Sequence, residues 1–460
     1  MAGPSCRRSS DPEGCSIKTL VLPVETLVRE FDGKLLLALT ARERGWNVII
    51  GERSRICRYL SNLPPSIFLS KSARAGNAAL FERLHSSGHR IAVLDEEALI
   101  RQSDEIYLMK HEKSALRCVS ALMTWGGDNS NLWQRSQRFD ENRIFNTGNP
   151  RMDLLRPEIR AFYQPQVDSI RERIGDYVLF NTNFAIVNHF VRGETRFKLA
   201  SWVASQERER HESALTAHKL AVFDRCRAMV PKIAKALAPT RLVIRPHPSE
   251  NPAAWVEAAR EQDNVKVLYE GSVVPWLAGA LALVHNGCTS AVEAAILGTP
   301  VLSYRPLRCP DLESPLLCQL GRECSDDDAL VSELARVRRG YPAALSAEQS
   351  KLLHHYVTGI TGKLSSDNIV DVIDSVDLSS DGRSWRRRIA AETRRLLERG
   401  SERFGIATPA ARLRMSYRAH KFPGLTEQLV NQQIGRFAKV LGRFHSARAR
   451  KVQNDIFLIA

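Results

Sequence analysis

Short, continuously apolar runs alternate along the chain with longer stretches of helical period. The first unit is "IKTLVLPV" (17–24), then "FDGKLLLALTARERG" (31–45), then "NVIIG" (47–51), and further apolar runs follow at "RIAVL" (90–94) and "ALMTWGG" (121–127). Runs that are apolar throughout, rather than at every second position, mark strands buried on both faces, as in a parallel sheet covered by helices. Gly, Asn and two prolines then break the period at "FNTGNPRMDLLRPEIRAFY" (145–163). A second series begins with "YVLFNTNF" (177–184). It continues through a helical region at 199–237, "RLVIRPHP" (241–248), a helix near 252–261, "VKVL", "LALVHNG" and "PVLSY". This alternation predicts an α/β fold of two Rossmann-like domains, residues 17–150 and 151–325, facing a cleft. From residue 326 to 460 the pattern is helical and predicts no further strand.

Composition refines this picture. A chain of 460 residues is too long for one ordinary core. With 43% apolar and 25% charged residues and no run of about 18 apolar positions, it reads as a folded protein without a membrane span. Residues 1–16 are polar, are expected to be disordered and lack a secretory signal, which points to the cytoplasm. Nine cysteines without a C-x-x-C pair predict a reduced protein with no metal site. The net charge of +15 is concentrated in residues 382–460, which hold 18 Lys and Arg against 5 Asp and Glu. In this tail Ile434, Phe437, Leu441 and Phe444 fall on one helical face. Such a basic amphipathic tail reads either as a peripheral anchor on the anionic inner face of the plasma membrane, or as helices packing back on the first domain. No nucleic-acid-binding module is present, so no nucleic-acid partner is expected.

Two strand ends carry the candidate chemistry. In "ALVHNGCTSAVEAAILGTPVLSY" (282–304) a strand turns through Asn286 and Gly287 into a helix opening at Thr289 and Ser290, and a helix start offers unbonded N–H groups and partial positive charge to a phosphate. Glu293, one turn in, is placed to reach a ribose, although Ser290-x-x-Glu293 is also the spacing of a capping box. In "RPHPSE" His247 lies between two prolines, and a rigidly held imidazole is a low-entropy donor to a phosphate or leaving oxygen. Arg245 either adds charge to that site or only packs its stem. Across the cleft, Glu25 and Asp128 follow first-domain strands. Either one is a candidate general base or nucleophile, and either one equally suits a helix N-cap. Arg29 is a candidate partner for a ligand's carboxylate or for Asp32.

These stretches, with "LPVETLVREFDGKLLLALTARERGWNVIIG" and "TGNPRMDLLRPEIR", resemble the surface carbohydrate biosynthesis protein family over residues 17–310. That family is similar to two-Rossmann (GT-B) glycosyltransferases that use CMP-activated Kdo or sialic acid. The resemblance implies that His247 and Pro248 match the His-Pro motif that holds CMP, and that Thr289 and Ser290 match its hydroxyl pair. With the residues read from the two strand ends, the candidate nucleotide site comprises Arg245, His247, Pro248, Asn286, Gly287, Thr289, Ser290 and Glu293. The donor would be a CMP-linked 2-keto-3-deoxy acid sugar, the acceptor a glycan or lipid-linked glycan, with no separate cofactor. The "EA...G.P" run from Glu293 to Pro300 is also similar to UDP-sugar 2-epimerases, and a CDP-glycerol-type transferase shares the fold. The Asp/Glu-Asp-Gly motif of the sialyltransferases is not evident, which leaves the catalytic carboxylate open among Glu25, Asp128 and others. A non-catalytic member of a glycan-assembly complex is the remaining alternative.

Overall fold

The computed structural model describes residues 18–60, 63–101, 103–190, 206–340, 344–378 and 421–460. Two sheets organise them. The first contains β1 (Thr19–Val24), β2 (Asn47–Glu52), β3 (Ile67–Ser70), β4 (Arg90–Leu94), β5 (Val119–Thr124) and β6 (Ile144–Asn146), all parallel. The second contains β7 (Tyr177–Asn181), β8 (Arg241–Arg245), β9 (Val265–Val267), β10 (Ala282–His285), β11 (Val301–Tyr304) and β12 (Arg322–Cys324), again parallel. Every residue of β1, β7, β10 and β11 is buried, as apolar runs between two helical layers require. The expected pair of Rossmann-like domains is therefore observed.

Order within the sheets decides where a ligand fits. The second sheet runs β12-β11-β10-β7-β8-β9, so the chain builds outward from β7 first one way and then the other. The helices on either side of that reversal diverge and open a crevice at the carboxyl ends of β7 and β10. In the first sheet the reversal lies between β1 and β3.

The chain beyond residue 326 departs from the all-helical expectation. Helix Asp327–Arg338 packs on the long helix Gln206–Leu237, whereas Ala347–Tyr356 and Ser365–Ser375 return to the first domain. Asp153 fastens this return: buried, it accepts the N–H groups of Ser365 and Ser366, each at 2.8 Å. The last forty residues form helix Glu427–Leu441 and a hairpin of β13 (Ala449–Gln453) and β14 (Ile456–Ile459), which extends the first sheet antiparallel to β2. Gly51 permits the docking, because a Cβ there would collide with the Asp455 carbonyl.

This placement corrects the membrane reading of the described part of the tail. Ile434, Phe437 and Phe444 are buried, Leu441 is packed against the same core, and Phe437 stacks on Phe162 with ring centroids 4.1 Å apart. An apolar face committed to the first domain is not available to a bilayer. The Arg-rich stretch 383–418 lies outside the described residues. No described helix is long and apolar enough to cross a membrane.

Candidate functional site

The second-domain wall starts at the end of β8. Prolines on either side set the backbone of His247, whose Nδ1 accepts the Ser249 N–H at 3.2 Å. In the neutral ring the proton then resides on Nε2. Beneath this loop, Glu250 accepts from Thr182 Oγ1 (2.7 Å), the Phe184 N–H (2.9 Å), Trp255 Nε1 (3.0 Å) and the His247 N–H (3.2 Å). One buried carboxylate thus ties the loop after β7 to the loop after β8. Arg245 differs from expectation. Its guanidinium donates to the carbonyls of Glu270 (2.7 Å) and Gly271 (3.2 Å) between the rings of Tyr269 and Trp276, and burial lowers its pKa to about 10. It shapes the crevice by holding the 269–272 loop rather than by presenting its charge to a phosphate.

At the end of β10 the chain turns at Gly287, with φ of 65°, and enters helix Ser290–Leu297. Neither Thr289 nor Ser290 caps that helix, and Ser290 Oγ donates instead to Cys288 Sγ at 3.1 Å. The capping box is not formed. Glu293, 5% exposed, accepts from Arg151 Nη2 at 2.7 Å. Arg151 lies on helix Pro150–Asp153, which packs on helix Leu27–Glu43 of the first domain although the expected boundary put Arg151 in the second, so the ion pair joins the two domains. Asn286 is also displaced from its expected role. It is buried between Lys219 Nζ (3.1 Å) and the Tyr304 carbonyl (2.9 Å), where it fixes the strand end from behind. Beside the turn, at the end of β7, lies Asn181. It is 5% exposed, lines the cleft, and its Oδ1 has no hydrogen-bond partner among the described residues.

The first-domain wall carries more charge than its sequence pattern indicates. Glu25, directly after β1, pairs with Lys71 at 2.6 Å and with Lys421 at 3.2 Å. Burial pushes its pKa up, but the two ammonium groups outweigh burial and hold the carboxyl below its ordinary range. Glu30 turns the helix start back on the strand, accepting the N–H groups of Glu25 and Thr26 and pairing with Lys34 at 2.8 Å. Arg29 lies at the mouth and donates to the Glu96 carbonyl at 3.2 Å, not to Asp32. Asp32 faces the cleft with Tyr163 Oη donating to it at 2.9 Å, and burial raises its pKa to about 6. Asp128 does not reach the cleft. It sits in the first turn of helix Gly127–Ser136, paired with Arg101 at 2.6 Å, and lines neither cavity described below.

The walls enclose two adjoining cavities, about 240 Å³ and about 190 Å³. Arg29, Glu96, Arg151, His247, Thr289 and Glu293 border both. Of the residues singled out from sequence, Glu25, Arg29, Arg245, His247, Pro248, Thr289, Ser290 and Glu293 meet at the larger cavity, and Gly287 lines the smaller. Asp128 and Asn286 line neither. Sequence reasoning missed Lys71, Glu96, Arg151, Tyr163, Asn181 and Lys421. Two of these had a signal, since Lys71 follows β3 and Glu96 follows β4, both on the side of the sheet where Glu25 emerges.

No protein-family model matches the chain, and no curated protein matches it. Among solved structures it is similar to a putative UDP-N-acetylglucosamine 2-epimerase from Listeria monocytogenes, at 15% identity and TM-score 0.49, over 79% of this chain and 99% of that one. It is also similar to the UDP-GlcNAc 2-epimerase from Neisseria meningitidis bound to UDP-GlcNAc (12% identity, TM-score 0.48, 77% and 98%). The wall teichoic acid polymerase TagF is a third such structure (11% identity, TM-score 0.48, 78% and 87%).

Proposed function

We propose that the chain is a glycosyltransferase that takes a sugar from a nucleotide donor bound in this cleft and passes it to a glycan hydroxyl. The observation that carries the reading is Asn181. A buried acceptor without a partner, beside an uncapped helix start at the strand-order reversal, is a site built for a ligand that supplies both a donor and negative charge. A nucleotide supplies both. Its phosphate would face the N–H groups at Thr289 and Ser290, with Nε2–H of His247 donating to the departing oxygen. Glu293 would accept from the ribose hydroxyls. Preorganised donors of this kind stabilise charge that develops as the glycosidic bond breaks.

A CMP-linked 2-keto-3-deoxy acid sugar is the donor we favour, supported by the sequence resemblance around His247 and Thr289. The test is calorimetric titration with CMP, UDP and CDP. Binding of CMP in preference to the other two supports the reading, whereas a preference for UDP or CDP shifts it to a UDP-sugar 2-epimerase or a CDP-glycerol-type transferase. No binding of any of them makes the chain a non-catalytic glycan-assembly protein.

A further inference from the structure

Transfer to a hydroxyl requires a group that removes its proton, and the two carboxylates suggested by sequence are poor choices in the folded chain. Asp128 is outside the cleft, paired with Arg101. Glu25 is inside but clamped between Lys71 and Lys421, which weakens it as a base. A third carboxylate meets the geometric need. Asp32 extends from helix Leu27–Glu43 into the larger cavity, on the wall opposite His247 and the 288–290 turn.

The geometry points to Asp32, oriented by Tyr163, as the catalytic base that takes the acceptor's proton. This rests on the transferase reading above. Tyr163 Oη donates to Oδ2 at 2.9 Å and fixes the plane of the carboxyl, while both residues line the cavity. Tyr163 is itself held, since its neighbour Phe162 stacks on Phe437 of the C-terminal helix. Among the described residues, the charged and titratable groups around Asp32 are Tyr163, Arg436 from that helix and, beyond Tyr163, Glu293. Arg151 passes close to the adjacent Gly33, with its guanidinium committed to Glu293 and Glu96. Burial outweighs the lowering effects of Tyr163 and then Arg436 and leaves the Asp32 pKa raised to about 6. At neutral pH the group is therefore mostly ionised yet more basic than an ordinary carboxylate, the compromise a general base needs.

The step balances as follows. The acceptor O–H bond breaks and its proton goes to Asp32. The oxygen forms a bond to the anomeric carbon, and the bond from that carbon to the nucleotide phosphate oxygen breaks with its electron pair on the phosphate. Asp32 then returns the proton to solvent.

The experiment measures nucleotide release from CMP-N-acetylneuraminic acid, UDP-N-acetylglucosamine and CDP-glycerol, with water as acceptor, between pH 5 and 9, together with calorimetric binding of the same nucleotides. Wild type should lose kcat/KM below about pH 6 as Asp32 protonates. Asp32→Asn should bind nucleotide as wild type does, release it about a hundredfold more slowly, and lack the acidic limb. Tyr163→Phe removes a hydrogen bond that favours the ionised carboxyl, so its acidic limb should move to higher pH. A purely structural tyrosine would not move it. An Asp32→Asn enzyme that keeps its rate or its acidic limb overturns the role of Asp32 alone. Wild type that binds nucleotide but turns over none of the three donors also overturns it. Wild type that binds no nucleotide overturns the transferase reading itself.

Discussion

Ending the chain at residue 420 should unfold the first domain rather than release a soluble enzyme from a surface. The deletion removes Val430, Ile434, Phe437, Phe444, Ile456, Phe457 and Ile459, each at most 7% exposed. At about 1.5–3 kcal/mol for each buried large apolar side chain, the loss comes to about 10–20 kcal/mol, an upper figure because denatured chains already bury part of that surface. Whole domains are stable by only about 5–15 kcal/mol. It also strips β14 from β2 and leaves an apolar strand edge open to aggregation. A milder probe of the same contact is Phe437→Ala, which should cost about 3–5 kcal/mol. Urea denaturation followed by circular dichroism and tryptophan fluorescence reads both variants, with sedimentation against anionic vesicles in parallel. A chain ending at residue 420 that unfolds cooperatively at the wild-type midpoint would refute the brace. Loss of vesicle binding in such a folded, shortened chain would restore the membrane anchor in its place.

His247→Ala should leave folding intact and weaken nucleotide binding at least about tenfold, one charge-assisted hydrogen bond being worth about 1.5–3 kcal/mol; unchanged calorimetric affinity removes His247 from the phosphate site. Glu293→Gln keeps an oxygen for Arg151 to donate to but loses the charge, so nucleotide affinity should fall by about tenfold with only a modest change in melting temperature. The opposite pattern would make Glu293 a domain latch and nothing more. Asp128→Asn should turn over donor as wild type does, whereas Glu25→Gln, by releasing Lys71 and Lys421, should lower turnover without shifting the acidic limb of the rate profile. Loss of that limb in Glu25→Gln would identify Glu25 as the base.

The strands and the two motif turns are legible in sequence because each is determined locally. Apolar runs need two covering layers, and a glycine turn into a helix declares its own open end. The terminal hairpin escaped notice because Arg450 and Lys451 interrupt its apolar alternation. Its turn signal is brief, Asn454 and Asp455, the latter at φ of 59°. The tail's apolar spacing marked a buried helical face for Ile434 and Phe437, with Leu441 packed beside them, whereas Phe444 is buried past the Gly442 cap at φ of 66°, off the helix; periodicity states only that a face is covered, not by what. The polar wall of the cleft was least legible of all. Tyr163 meets Asp32 from 131 residues away, Arg151 meets Glu293 from 142, and Lys421 meets Glu25 from 396. No local pattern encodes such pairs; they follow from the order of the sheets and the return of the chain to the first domain.

That return also bears on how the cleft would respond to a ligand. Arg151 lies between Glu293 of the second domain and Glu96 of the first, at 2.7 and 3.6 Å. A buried guanidinium deprived of its only partner would cost several kcal/mol, enough to oppose nucleotide binding. With Glu96 already within reach, a ribose that takes over Glu293 leaves Arg151 a carboxylate to turn to, at the price of a small shift within the first domain. Burial pushes the Arg151 pKa down, but Glu293 and then Glu96 outweigh it in the free cleft. A ribose bound as proposed would therefore exchange an interdomain ion pair for one within the first domain, and the ligand would itself have to make up the contact between domains that it removes. In the proposed site a nucleotide bearing a sugar would span the cleft and could do so, whereas a bare nucleotide confined to the second-domain wall could not. The intact donor should accordingly hold the domains together more firmly than the product nucleotide does, which favours release after transfer.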